Sequence, residues 1–338
     1  MIKHKKALLS VVAAMLVAGT TILIGSCSKE GDYSQSGSYF QKSLTAEAIP
    51  EYSSLEEVFE VISMANSFDT LSDLLYYEAS QGRNSIGAIS DMFYEGIEIE
   101  NFSNEEDALT FCTENLHLLD TVIKDNETYV YPKWYNHPYR YVANQNGLFK
   151  VNDDVYRLLK NSIVSTSVSN LSALLVINDK DVETLDTSIF KVSKRIILNI
   201  NPHASCSDNV AYGGSMINNN SRFTMELAMN YLSGSGFPVV TVTIEASNHT
   251  RYLGIWWTAR HNVTIDANAV LHKIYPGNGW VNIPISKSIS KKFNSKSFVI
   301  FEDYFVVTDN LSLGGYHFKS FCIKGRNPSV DELILQWN

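Results

Sequence analysis

Phe223-Thr224-Met225-Glu226-Leu227-Ala228-Met229-Asn230-Tyr231 decides the fold class. Phe223, Met225, Leu227, Met229 and Tyr231 fall on one side of an extended chain and Thr224, Glu226, Ala228 and Asn230 on the other. That is the period-two pattern of a half-buried strand. Ser233-Gly234-Ser235-Gly236 supplies a turn, after which Val240, Val242, Ile244 and Ala246 alternate with Thr241, Thr243 and Glu245. Asn248-His249-Thr250 reads as the next turn, leading into residues 252–260, and Val263 and Ile265 continue the alternation. Residues 298–307 and 316–323 read as two further strands, with Gly314-Gly315 between them. Strands at this spacing, without helices between them, predict an antiparallel β-sandwich or open barrel over residues 188–338.

Upstream the period changes. Ser53 or Ser54 is placed to cap a helix with Glu56 and Glu57 in its first turn, and Leu55, Val58, Phe59 and Ile62 recur at three- and four-residue steps. A second helix is expected over 70–80, ended by Gly82, and a third over 84–97 with Ile86, Ile89, Met92, Phe93 and Ile97 on one face. A fourth begins near Ser103, where Ser103-Asn104-Glu105-Glu106 fits a capping box, and carries Ala108, Phe111 and Cys112. From Tyr129 the texture turns to strands. Tyr139-Arg140-Tyr141-Val142-Ala143, Asn146-Gly147 and Leu148-Phe149-Lys150-Val151 read as a hairpin. Asp153-Asp154 leads to Val155 and on to Ile163, giving a small β-meander, and 169–184 reads as a helical or irregular connection. The fold class is therefore α+β, with a mostly helical region and β-meander over 51–187 and the β-domain over 188–338. Charge divides at the same place, with a net of −17 over 27–187 and +5 over 188–338.

The chain has 338 residues, 27 Lys+Arg against 36 Asp+Glu, four Cys and 45% hydrophobic residues. Such a composition excludes a disordered chain and a disulfide scaffold, and an acidic surface does not suit nucleic acid. Residues 1–26 are an address. Lys3, His4, Lys5 and Lys6 form a basic start, residues 7–24 are apolar or small and uncharged, and Gly25, Ser26 and Cys27 follow. A transmembrane anchor of 18 residues is the rival account of the apolar run. Ile24-Gly25-Ser26-Cys27 decides between them, because it resembles the lipobox of bacterial lipoproteins. That resemblance implies cleavage before Cys27, diacylglycerol on its thiol and an acyl chain such as palmitate on its new amine. Multiple acyl chains anchor stably, at about 0.8 kcal/mol per buried CH₂. No Asp follows Cys27, so the inner-membrane retention signal is absent. Lys29-Glu30-Gly31-Asp32 resembles in part the export signal of Bacteroidota surface lipoproteins. The expected location is the outer membrane, at the cell surface, with the periplasmic face as the alternative. Residues 27–50 then read as the lipidated Cys and a flexible tether.

Three stretches extend the resemblance: Tyr77-Glu78-Ala79-Ser80-Gln81-Gly82, residues 144–156, and Gly254-Ile255-Trp256-Trp257. Together they are similar to a group of uncharacterised Bacteroidota surface lipoproteins that share the order signal, helices, small meander, β-domain. The resemblance implies location and architecture, and no mechanism.

The residues offer few chemical sites. No His-Glu-x-x-His, Cys-x-x-Cys or EF-hand loop is present, and His249 with His261 is a weak metal pair, so no metal and no cofactor is expected. Gly213-Gly214-Ser215 lacks the frame of a nucleophile elbow, and Cys206 with His203 lacks an orienting third group. Cys206 and Cys322 are either a disulfide or two buried thiols, and Cys112 reads as core. Glu302 and Asp303 point to opposite faces of a strand, whereas Glu226 and Glu245 share one outward face, a weak glycosidase pair. No catalytic residue is therefore assigned. Aromatics remain. Trp256 and Trp257 lie on opposite faces of one strand, so one is core and the other sits beside Tyr252 and Arg260, exposed for a sugar or partner or covered at a domain junction. Trp134, Tyr135, His137, Tyr139 and Tyr141 pose the same choice, as does Trp280. The function expected is a lipid-anchored, non-catalytic binding module, tied to the membrane through Cys27 and engaging a glycan or protein. The alternative is an envelope-associated hydrolase of exported polymers.

Overall fold

Ser54, Thr70 and Ser85 each stand in extended backbone, and each side-chain oxygen accepts the N–H of the residue three further on. Each therefore satisfies one of the donors that a helix start leaves unpaired. The computed structural model describes residues 48–197, 213–218, 220–232, 239–275, 279–293, 295–304 and 316–337, and the statements below concern those. A short strand, β1 (Glu51–Tyr52), precedes the three helices: α1 (Leu55–Ser67), α2 (Leu71–Ser80) and α3 (Ile86–Glu95). Helix α4 (Glu105–Glu114) starts one residue later than the capping box suggests. Asn104 is the cap, and Asp107 reaches back to the N–H of Ser103.

Strands take over from there. β2 (Leu119–Lys124) and β3 (Glu127–Pro132) form a hairpin through Asp125-Asn126, both in the left-handed region that a two-residue turn demands. β4 (Leu148–Val151), β5 (Asp154–Leu158) and β6 (Ser162–Ser167) make the meander, followed by the one-turn α5 (Leu171–Leu174). Then come β7 (Lys191–Ile197), β8 (Gly213–Asn218), β9 (Ser221–Leu232), β10 (Val239–Tyr252), β11 (Ile255–Thr258), β12 (His261–Tyr275), β13 (Gly279–Phe293), β14 (Ser295–Tyr304), β15 (Tyr316–Asn327) and β16 (Val330–Trp337). The protein is thus mixed α+β, with a β-rich C-terminal part.

Two expectations fail locally. Residues 139–143 do not extend: Pro138–Tyr141 is a turn of 3₁₀-helix, because Arg140 and Tyr141 are drawn onto α3. The hairpin partner of β4 is β5, joined through Asn152-Asp153, while Asn144 closes the Asn146-Gly147 turn by accepting the N–H groups of Asn146 and Leu148. Likewise residues 248–250 are strand interior. The turn comes at Leu253-Gly254, with φ of 50° and 84°.

A twelve-stranded sheet runs β1-β4-β5-β6-β7-β9-β10-β11-β3-β2, with β8 added on β9 and β14 on β10; a four-stranded sheet runs β13-β12-β15-β16. Phe223, Met225 and Leu227 of β9 and Val240, Val242 and Ile244 of β10 pack on Val263, Ile265, Phe321, Ile323 and Leu335 of the smaller sheet. The approach is close at Gly325, where a Cβ would strike Met225 and Phe223. One sheet curls as a half-barrel, and the opposite face of β9 and β10, with Thr241, Thr243, Glu245, Ser247 and His249, is buried as well. At one end of that face Leu232 and Val239 join Tyr139, Phe149, Tyr156, Phe59 and Ile62 in a second core. Among the described residues no helix is long and apolar enough to cross a membrane.

Candidate functional site

The inward face of β9 and β10 changes character along its length. Beyond Leu232 and Val239 it carries Thr241, Thr243, Glu245, Ser247 and His249, all buried, and opposite them Glu226, Thr224 and Arg222. Apolar packing thus fills one end of the half-barrel and polar side chains the other. The polar end holds the candidate site.

Register builds its wall. The Leu253-Gly254 turn folds β11 back on β10, setting Trp256 opposite Arg251 and Thr258 opposite His249. β3 then runs parallel to β11, with Tyr129 beside Trp256. Tyr94 of α3 holds the two strands together: its hydroxyl accepts the N–H of Thr258 at 2.6 Å and donates to the carbonyl of Val130 at 3.1 Å. Alternation along β3 puts Tyr131 on the face of Tyr129. The result is a ladder of near-parallel rings. Trp256 lies 6.4 Å from Tyr129, Tyr129 lies 6.3 Å from Tyr131, and Tyr131 lies 3.7 Å from Tyr135, with interplanar angles of 15°, 19° and 10°. His249 meets Tyr129 and Tyr131 edge-on at 5.4 and 5.3 Å. The Arg222 guanidinium sits 4.6 Å above the Trp256 ring and pairs with Glu127 at 2.8 Å, and Arg251 covers the same indole at 5.5 Å. Cation–π contact and ion pairing therefore converge on one half-buried arginine.

Beside this ladder lies a cavity of about 270 Å³. Tyr129, Tyr131 and Tyr135 form its aromatic side, Arg222, Thr224 and Glu226 its floor, and Asn136, Lys160 and Asn161 another side; Asp120, Lys124 and Asp125 of the β2–β3 hairpin close it. Burial, and secondarily Arg222, pushes the His249 imidazole down to about 3, so it is neutral at physiological pH. Burial, with Tyr135 next in weight, holds the Tyr131 phenol well above its ordinary range. These groups therefore present hydrogen bonds and ring faces, not a titrating acid or base.

A second polar cluster is structural. Arg140, 1% exposed, pairs with Asp91 and donates to the Gly87 carbonyl and the Ser90 hydroxyl, and Tyr141 donates to Asp91 at 2.9 Å. It ties the 3₁₀ turn to α3. A groove of about 1020 Å³ between α1 and β13–β14 is larger than the aromatic cavity. Burial and the charge of Glu56 raise its Glu302 carboxyl.

The structure joins some residues singled out in the sequence and separates others. Tyr135 and Trp256 belong to one ladder, and Glu226 stands directly opposite Glu245, but on a face turned to the interior and not outward, since Glu245 is buried. Trp256 is covered, and Trp257 stacks on Phe102 at 5.5 Å beneath the helices. His249 and His261 lie on strands of different sheets. No group of three His, Cys, Asp or Glu among the described residues is arranged to hold a metal. Cys112 is free and buried, its thiol pushed up to about 11 by desolvation. Cys322 is disulfide-bonded, and its partner lies outside the described residues, as do Cys27, His203 and Cys206. Tyr129, Tyr131 and Arg222 escaped the sequence reading. Their alternation in Tyr129-Val130-Tyr131 and Arg222-x-Thr224-x-Glu226 was the available signal.

No protein-family model and no curated protein matches the chain. It is similar to a solved structure, a DUF4848 family protein from Bacteroides thetaiotaomicron, at 11% identity over 87% of this chain and 97% of that one, with a TM-score of 0.28. At that score the likeness assigns neither fold nor role.

Proposed function

We propose that the protein is an exported lipoprotein of the Bacteroidota surface type. In this reading the signal over 1–26 is removed, Cys27 carries the lipid, and the folded part is displayed on the outer membrane as a non-catalytic binding module. The chain architecture is read as an open barrel packed on a smaller sheet, with Cys206 as the partner of Cys322. One observation carries the binding role: the polar end of the half-barrel forms a cavity of about 270 Å³ walled by three stacked tyrosines, near the lower end of the size range for small-molecule sites. Around it the charged groups are engaged with one another. Lys124 faces Glu226 at 3.7 Å, and Asp120 takes Lys133 at 3.0 Å and the Trp134 N–H at 2.6 Å. Paired groups of this kind hold a shape; they are not poised for proton transfer.

The test has two arms. Cys27→Ala should leave the unprocessed chain outside the lipoprotein fraction, whereas a processed, envelope-bound variant would overturn the anchoring. Incubation with exported polysaccharides and peptides should give binding without turnover. A turnover abolished by Glu226→Gln in a normally folded protein would instead establish the hydrolase.

A further inference from the structure

We infer that the ligand is a neutral, hydroxyl-rich ring of single-sugar size, stacked against Tyr135; this rests on the aromatic cavity being the binding site. Three features of the lining narrow the class. The first is charge. Lys124, Lys160 and Arg222 face Asp120, Asp125 and Glu226, so cations and carboxylates are matched in number around the cavity. Most are already satisfied within the protein, Arg222 by Glu127 at 2.8 Å and Asp120 by Lys133 at 3.0 Å. A charged ligand would meet as much repulsion as attraction, whereas a neutral one need not break these pairs. The second is the wall. Tyr131 and Tyr135 lie parallel at 3.7 Å, and Tyr129 continues the series, so the cavity is lined by a rigid set of aromatic groups. Tyr129 and Tyr131 each lie between two other rings, so Tyr135, at the end of the stack, is the ring placed to meet the apolar C–H face of a pyranose, and its fixed geometry orders few rotamers on binding. The third is the rest of the lining. Asn136, Asn161, Ser215 and Thr224 each both donate and accept, as a sugar hydroxyl does. The volume of about 270 Å³ admits one ring, which makes the site suited to a terminal or branching residue and not to the interior of a polymer.

The experiment uses the full lipidated chain in a detergent without sugar head groups, with saturation-transfer NMR and calorimetry. The probes are methyl glucoside, methyl galactoside, methyl mannoside and N-acetylglucosamine, with glucuronate, glucosamine and a neutral tetrapeptide as controls. At least one neutral sugar should bind with a Kd on the order of 1 mM, as expected for a ligand so small. Tyr135→Phe should keep that affinity within about threefold, and Tyr135→Ala should weaken it about tenfold through lost stacking. Asn161→Ala, at an exposed position, should weaken it about threefold and serves as the variant least able to disturb the fold. If glucuronate, glucosamine or the peptide binds with the same variant pattern and no neutral sugar does, the ligand class is overturned and the cavity stands. If a neutral sugar binds but neither Tyr135→Ala nor Asn161→Ala changes its affinity, the cavity itself is overturned. Failure of every probe at about 10 mM overturns both.

Discussion

His249 is the residue whose chemistry can be predicted most directly. It is wholly buried between Tyr129 and Tyr131, its Nε2 is 3.5 Å from the Thr224 hydroxyl, and Arg222 is the charged group beside it. Burial and that cation lower its pKa from 6.5 to about 3 in the folded chain. The sign follows from proton binding. Above pH 6.5 both folded and unfolded imidazoles are neutral, and the group contributes no pH dependence. As pH falls through that value the unfolded chain takes a proton that the folded chain refuses, so stability is lost continuously down to about pH 3. Each unit corresponds to about 1.4 kcal/mol, so at about pH 5 the loss is about 2 kcal/mol. Urea unfolding of the wild type and of His249→Gln at about pH 7.5 and about pH 5 isolates it. Glutamine does not titrate and keeps an amide near Thr224. The raised carboxyls of Glu78, Glu95 and Glu302 act in the opposite direction, but equally in both proteins, and cancel in the difference. His249→Gln should be the less stable protein at the higher pH, with the gap closing by about 2 kcal/mol at the lower. A gap that stays constant within about 0.5 kcal/mol would mean that the imidazole is not buried neutral beneath the aromatic ladder.

Two further substitutions test the frame around the site. Asp91→Asn should cost about 3–5 kcal/mol in chemical denaturation, because it leaves the Arg140 guanidinium buried without its counter-charge; Asp91→Leu combined with Arg140→Met should recover most of that loss. Gly325→Val should cost about 1–3 kcal/mol, since its side chain would enter the space of Met225 and Phe223 between the sheets, and adding Met225→Ala should restore part of it.

What the sequence revealed and what it hid divide along the range of the interactions. The start of the first helix was legible because Ser54 acts on a residue three positions away. The strands at Phe223–Tyr231 and at Val240–Ala246 were legible because their two faces meet different surroundings, a dry core on one side and a polar interior on the other. The segment around Arg140 was misread because its conformation is set by Gly87, Ser90 and Asp91, some fifty residues earlier in the chain. The turn at Leu253-Gly254 was missed because a leucine in the left-handed region contradicts its local preference. Tertiary contacts overrode local propensity in both cases.

The site follows the same rule more strictly. Tyr129 and Trp256 become neighbours through a parallel pairing of β3 and β11 that spans only Trp256–Tyr129 and Trp257–Val130. No local pattern announces so short a long-range contact. Arg222 then joins the two strands to β9 through the ring of Trp256 and the carboxylate of Glu127. Its contacts build the fold and floor the cavity at once, so replacing it would confound loss of binding with loss of structure. Trp256, Tyr129 and Tyr131 share that difficulty, each being buried. Tyr135 stands apart. It belongs to the same ladder, yet it is half-buried and sits on the connection after β3 instead of within a strand. A residue in that position can meet a ligand without carrying the sheet, so Tyr135, and not the tryptophan the sequence brings forward, is the ring at which loss of binding can be told apart from loss of structure.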